Sequence, residues 1–163
     1  MLLRSATDAD VGRLVVLINA AYQVEKFFIC GERTDAEDLR ARLRRGEFLV
    51  LEPEPGVFAG CVFVSVDGPD GFMGMLSVLP ERQGQGIGTT LVIAAEDHCR
   101  SQGCTWMEIE VVNLRTELPP FYRRLGYREA DERPFPDAAR SLRPCHFVVM
   151  RKPLPAGEAG ERS

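Results

Sequence analysis

The chain has 163 residues, enough for one domain with a real core, and its 45% hydrophobic and 27% charged content suits a folded globular protein. The formal net charge of -4 argues against a nucleic-acid partner, and the basic residues, nearly all Arg with only Lys26 and Lys152 as lysines, are scattered among acids rather than gathered in a stripe. No apolar run reaches the ~20 residues of a membrane span, and Met1 leads into a strand-like run rather than a signal-peptide pattern, so no membrane partner and a cytoplasmic location are expected. The five cysteines (30, 61, 99, 104 and 145) are odd in number and lack a CxxC or metal spacing; they read as reduced, mostly buried small side chains, with no metal site.

In chain order, residues 2–6 read as a strand. Thr7-Asp8-Ala9-Asp10 resembles a capping box, and Val11, Leu14, Val15, Ile18 and Tyr22 follow at helical spacing. Thr34-Asp35-Ala36-Glu37 reads as a second capping box, opening a helix that carries Leu39 and Leu43 and ends at Gly46. Phe48–Leu51 and Val57–Val66 form a hairpin across Pro53-Glu54-Pro55-Gly56, and after a turn at 67–71 Phe72–Leu79 is a third strand. A helix of about 14 residues ends near Gly103, Thr105–Val112 is a strand, and 118–125 is a short helix with Pro119 and Pro120 confined to its first turn. Tyr127–Ala130 and His146–Arg151 are strands around a Pro-rich loop at 131–144. Residues 153–163 lack any apolar period and are expected to be a disordered tail, leaving 1–152 as the domain.

The order β-α-α-β-β-β-α-β-α-β-β predicts an α/β (α+β) fold, a central mixed sheet with helices on both faces.

The most informative segment lies between the third long strand and the helix after it: Gln83-Gly84-Gln85-Gly86-Ile87-Gly88. Alternate glycines let a turn bend sharply and bring its backbone N–H groups close to a ligand, and the start of a helix adds unpaired N–H groups and a partial positive charge. The expected ligand is a phosphate. A P-loop would need Gly-Lys-Ser/Thr, and no Lys lies nearby; a dinucleotide fingerprint would need a third Gly at 89, which is Thr89.

What remains, Gln83-x-x-Gly86-x-Gly88 preceded by Ser77-Val78-Leu79-Pro80-Glu81, resembles the pyrophosphate loop of the GNAT superfamily of acyl-CoA-dependent N-acetyltransferases. A second segment, Phe121-Tyr122-Arg123-Arg124-Leu125-Gly126-Tyr127, resembles that family's Leu/Phe-Tyr-x-x-x-Gly-Phe/Tyr motif, and the element order over 1–152 is the family's order. The resemblance implies acetyl-CoA as co-substrate. Its pyrophosphate would sit on the N–H groups of Gln83, Gly84, Gln85, Gly86, Ile87, Gly88 and Thr89, and its pantetheine arm would pair with Leu76–Leu79 in the gap beside the strand at 105–112. By position, the Val78 N–H would polarise the thioester carbonyl and Tyr122 would protonate the leaving thiolate. The family places an Asn seven residues before that Tyr. Here Asn113 stands nine before it, behind a stiffer Arg115-Thr116-Glu117-Leu118-Pro119-Pro120 connection, so its contact with the cofactor arm is an open expectation.

An acceptor amine must lose a proton. With a lysine-like pKa of about 10.4, this costs roughly 4.6 kcal/mol at pH 7, which a general base or a water chain offsets. Glu108 and Glu110 alternate onto one face of their strand and are base candidates, or simply an Arg-paired face. Glu25, in the Tyr22–Phe28 segment where the family often builds its acceptor pocket, is the rival. His98 and His146 read as structural. With no Ser/His/Asp pattern, direct attack by a primary amine is expected over an acyl-enzyme. The acidic candidates weakly favour a small cationic metabolite as acceptor over a protein Lys or N-terminus. A non-catalytic acyl-CoA-binding or sensing domain is the alternative reading. Family members are often dimers, which adds a homodimer to the candidate partners.

Overall fold

Seven strands make one mixed sheet in the computed structural model, which describes residues 2–155. They are β1 (Leu2–Ser5), β2 (Glu47–Glu52), β3 (Gly60–Asp67), β4 (Asp70–Val78), β5 (Trp106–Val112), β6 (Arg128–Pro134) and β7 (His146–Pro153), laid side by side in the order β1-β2-β3-β4-β5-β7-β6. The helices are α1 (Val11–Ala21), α2 (Ala36–Leu43), α3 (Ile87–Ser101) and α4 (Leu118–Arg124). All neighbouring strands are antiparallel except β4 and β5, and α3 supplies the long crossover that a parallel pair requires.

Strand alternation divides the core between the two faces. Leu49, Leu51, Val62, Val64, Met107 and Ile109 pack beneath α3 with its Leu91, Val92 and Ala95. Phe48, Val50, Cys61 and Phe63 pack beneath α1, against Leu14 and Ile18. Burial on both sides explains why β2 reads as a continuous apolar run. Gly60 marks a close approach of sheet and helix: a Cβ there would stand 2.8 Å from the Ser77 carbonyl and 3.0 Å from the Ile87 side chain.

Two features of β4 shape the site. Its pairing with β5 covers only Asp70–Phe72 against Trp106–Glu108, after which β5 stays with β7 along its whole length and a gap opens beside β4. The strand also carries a bulge: Cys61 faces Ser77 but Phe63 faces Gly74, so β4 has one residue more than β3 over this stretch. Met75 takes the positive φ of 52° within it. Met73 and Met75, two apart, therefore fall in opposite cores, beneath α3 and α1 respectively.

Several sequence-based boundaries shift. The Thr7 box forms as expected, with the Thr7 N–H donating to Asp10 at 2.8 Å. The second cap moves one residue, to Asp35, whose carboxylate accepts from the Asp38 N–H at 2.8 Å. Thr34 is otherwise engaged: its hydroxyl meets Asp38 at 2.7 Å and its backbone is clamped by both ends of the Asn19 amide, each at 3.0 Å. β3 begins at Gly60 because Val57 closes a turn onto Glu54. β6 continues to Pro134 where a loop was expected. β7 continues through Pro153, and Leu154 is 1% exposed with its N–H on the Thr105 carbonyl, so the first two residues of the expected tail belong to the fold. Residues 156–163 of that tail lie outside the described residues. No helix among the described residues is long and apolar enough to cross a membrane.

Candidate active site

The Gly-rich turn follows the diverged end of β4. Gly84 and Gly86 have φ of +82° and +79°, and Gly86 is the left-handed N-cap of α3, a conformation open to glycine at little cost. A Cβ at either would meet nothing within 4 Å, so backbone conformation rather than crowding selects glycine there. The first α3 amide with a backbone partner is that of Thr90, on the Gly86 carbonyl at 3.0 Å. Among the described residues the N–H groups from Gly84 to Thr89 make no backbone hydrogen bond, and the Gly84–Gly86 turn is exposed. Six consecutive N–H donors without a backbone partner therefore stand at the positive end of a 15-residue helix, a disposition that favours an anion.

The gap beside β4 widens into a cleft of about 540 Å³. Leu76 of β4, Glu110 and Val112 of β5, Tyr122 of α4, and Glu25 and Arg115 from the connecting segments line it. The Leu79 N–H donates to Ala59 of the neighbouring chain segment at 2.9 Å, so by antiparallel alternation the Val78 N–H points away from β3, to the side where β5 has departed.

Tyr122 is placed by the end of its helix. Gly126, at φ +101°, donates to the Arg123 carbonyl, and the Tyr127 N–H donates to the Tyr122 carbonyl at 3.1 Å, which is a Schellman closure. The Tyr122 ring packs edge-on against Phe121 and Tyr127, at 5.0 and 5.8 Å. Its hydroxyl has no protein partner among the described residues and its side chain lines the cleft. Burial, with a smaller contribution from Tyr22, holds this phenol above its ordinary range, so it keeps its proton at neutral pH. Tyr127, five residues on, is structural: its hydroxyl donates to the buried Glu96 of α3 at 2.8 Å, and Lys152 of β7 reaches both oxygens of Glu96 at 3.1 Å.

The base candidates separate. Glu25 is 8% exposed, lines the cleft and accepts from Arg115 at 2.8 Å, while Arg115 also holds Glu117 at 2.8 Å. Burial pushes the Glu25 carboxyl upward, and Arg115 offsets only part of that. Glu108 and Glu110 do share one face, and Arg133 of β6 spans both, at 2.8 and 3.4 Å. Arg151 also approaches Glu108, which does not line the cleft; Glu110 does. Asn113 is tied to β7: its side-chain carbonyl accepts from the His146 N–H at 2.8 Å and its own N–H donates to the His146 carbonyl, while its side-chain amide donors have no protein partner among the described residues. His98 pairs with Glu47 at 3.1 Å and His146 approaches Glu132 at 3.6 Å. Of the three residues Phe27, Phe28 and Ile29, Phe28 is core, Phe27 is half exposed and Ile29 lines the cleft.

Cleft residues with no site role assigned from sequence include Tyr22, Arg33, Phe135, Arg140 and Phe147. Tyr22 looked like one more helical apolar position, and Phe135 and Arg140 lie in a stretch whose only signal was proline. They meet through the Ile29–Ser141 bridge and the Cys30 N–H on the Arg140 carbonyl, long-range contacts with no local sequence mark.

A turn with unpartnered N–H groups and a gap between parted strands thus lie at the same end of the sheet. The sequence profile of the acetyltransferase (GNAT) family matches residues 16–127, and the chain belongs to that family. Similar solved structures include the ribosomal-protein-S18-alanine N-acetyltransferase from Escherichia coli (TM-score 0.77, 18% identity, covering 94% of this chain and 93% of the other). Another is a phosphinothricin acetyltransferase from Sinorhizobium meliloti in complex with acetyl-CoA (TM-score 0.71, 18% identity, 97% and 90%). A third is Naa20 from Chaetomium thermophilum with a bisubstrate analogue (TM-score 0.75, 17% identity, 96% and 88%). At these identities the likeness is one of fold.

Proposed function

We propose that the chain transfers the acetyl group of acetyl-CoA to a primary amine by direct attack. The observation that carries this reading is the run of free N–H groups from Gly84 to Thr89, set directly after the strand that parts from its neighbour. The cradle binds the pyrophosphate, and the open edge of β4 pairs with the pantetheine arm. The Val78 N–H donates to the thioester oxygen, where negative charge grows in the transition state. The amine nitrogen attacks the carbonyl carbon, the C–N bond forms and the C–S bond breaks. Glu25, with its raised carboxyl on the cleft wall, takes the amine proton, and Tyr122 gives its proton to the departing thiolate. Acetyl-CoA in the Sinorhizobium meliloti relative supports the co-substrate.

The acceptor enters the cleft as a free amine. The expected preference for a cationic metabolite rested on Glu25, Glu108 and Glu110, and each of these meets an arginine. They therefore leave little unpaired negative charge to attract a second cation.

The test is thiol release from acetyl-CoA across a panel of primary amines. Amine-dependent release with matching N-acetyl product supports the reading. Tight acetyl-CoA binding with no release for any amine would replace it with the non-catalytic acyl-CoA-binding domain.

A further inference from the structure

The charges that line the cleft, six carboxylates and four guanidiniums, are nearly all matched within the protein. Arg42 pairs with Asp38 and Arg140 with Asp137, both at 3.2 Å, and Arg115 lies between Glu25 and Glu117. Glu110 meets Arg133, Glu32 meets Lys26 at 3.0 Å, and Asp35 caps α2. Arg33 is the exception. Among the described residues its guanidinium has no ion-pair or hydrogen-bond partner, and it lies over the Tyr22 ring at 5.2 Å on the cleft wall. Glu25 and Asp38 feel its charge, but each is already bonded to another arginine. The Tyr22 hydroxyl, also on the cleft wall, likewise has no protein partner among the described residues.

A guanidinium 5.2 Å from a ring centroid is within cation–π reach of the ring and keeps its fork of donors unspent. Such a group is built to receive an anion in two parallel hydrogen bonds. Carboxylate and phosphate both fit that fork. A single unpaired guanidinium balances the one charge of a carboxylate and not the two of a phosphate dianion, which favours the carboxylate. The tilted pair Phe135 and Phe147, 5.3 Å apart, lines the same cleft and offers apolar surface to the rest of the molecule.

We propose that Arg33, supported by Tyr22, is the specificity-determining subsite for a free carboxylate, and that the acceptor is an amino acid with an apolar side chain. The inference rests on the acetyl transfer proposed above and names its acceptor class.

The test uses the full chain with acetyl-CoA and three acceptors in matched forms: phenylalanine, leucine and methionine, each with its carboxamide and its decarboxylated amine. Binding of each to the CoA-loaded protein is read by calorimetry, and turnover by thiol release. The carboxylate form is expected to exceed the amide by roughly 10- to 100-fold in kcat/KM, chiefly through KM. Arg33→Gln collapses that ratio toward one while the Kd for acetyl-CoA holds, and Arg33→Lys restores part of it. Equal use of amide and carboxylate by the unmodified protein, an equal loss for both in Arg33→Gln, or no carboxylate binding to CoA-loaded protein overturns the proposal. Those results leave the acetyl-transfer reading standing, whereas failure to bind acetyl-CoA at all would remove that reading itself.

Discussion

Two tyrosines five residues apart, with rings in edge-on contact, are expected to fail in opposite ways when their hydroxyls are removed. The Tyr127 hydroxyl donates to Glu96, a carboxylate only 4% exposed, and Tyr127→Phe leaves that charge with Lys152 alone. A hydrogen bond to a buried charge is worth about 1.5–3 kcal/mol, and each kcal/mol moves the Tm of a domain this size by roughly 2–4 °C, so Tm should fall by roughly 3–12 °C. The Tyr122 hydroxyl bonds to no described protein atom, so Tyr122→Phe should move Tm by no more than about 2 °C. Its effect belongs to the chemistry: loss of the acid for the thiolate should lower kcat by about 10²- to 10⁴-fold, with the affinity for acetyl-CoA retained. Differential scanning calorimetry and thiol release on both variants separate the two roles. Full turnover in Tyr122→Phe would mean that water or another group protonates the thiolate. A Tm loss in Tyr122→Phe matching that of Tyr127→Phe would refute the assignment of a free hydroxyl.

Gly86→Glu should abolish acetyl-CoA binding, because it places a like charge in the cradle at a left-handed backbone position; unchanged affinity in a folded variant would refute the loop assignment. Glu25 acts as a base only when ionised, so kcat/KM should decline as pH falls through its raised carboxyl value; Glu25→Gln should remove that limb and cost about 10²-fold, and an unchanged acid limb would exclude Glu25. The hydrogen bonds from Arg4, 2.8 Å away, hold the Asp10 carboxyl well below the usual range. A depressed folded value gives stability that is present above the unfolded pKa of about 3.9 and lost as pH falls through the folded value. Asp10→Asn should therefore lower Tm at pH 7 and flatten the loss of stability below pH 4; an equally steep acid limb in the variant would refute the pairing.

The parts of the site that were legible are those where backbone demands a residue type. Gly84, Gly86 and Gly126 stand at positive φ, and the sequence marks each with glycine at a helix end. The bulge was hidden, because Met75 takes φ 52° with a side chain that gives no hint of it. The gap between β4 and β5 was expected only from the family resemblance: β5 pairs with β4 over three residues and with β7 along its whole length, and no residue in either strand marks where β4 leaves. The extent of β6 was missed because an exposed edge strand has no apolar alternation: Arg128 to Pro134 is exposed throughout, and Arg133 bridging Glu108 and Glu110 marks its far end. The proposed acceptor side of the cleft draws on residues 22–42 and 135–147, which meet only in the folded chain.

The most direct test of the central claim is the Tm of the unmodified protein with acetyl-CoA, against ATP and NAD as controls. Ligand at 100 times its Kd stabilises by about 2.7 kcal/mol, a rise of roughly 5–10 °C for a domain of this size. A rise of that order with acetyl-CoA alone is the predicted result. A cooperative transition that acetyl-CoA leaves in place, or that ATP and NAD move equally, would contradict the assignment of the Gly84–Thr89 cradle and the β4 gap to this co-substrate.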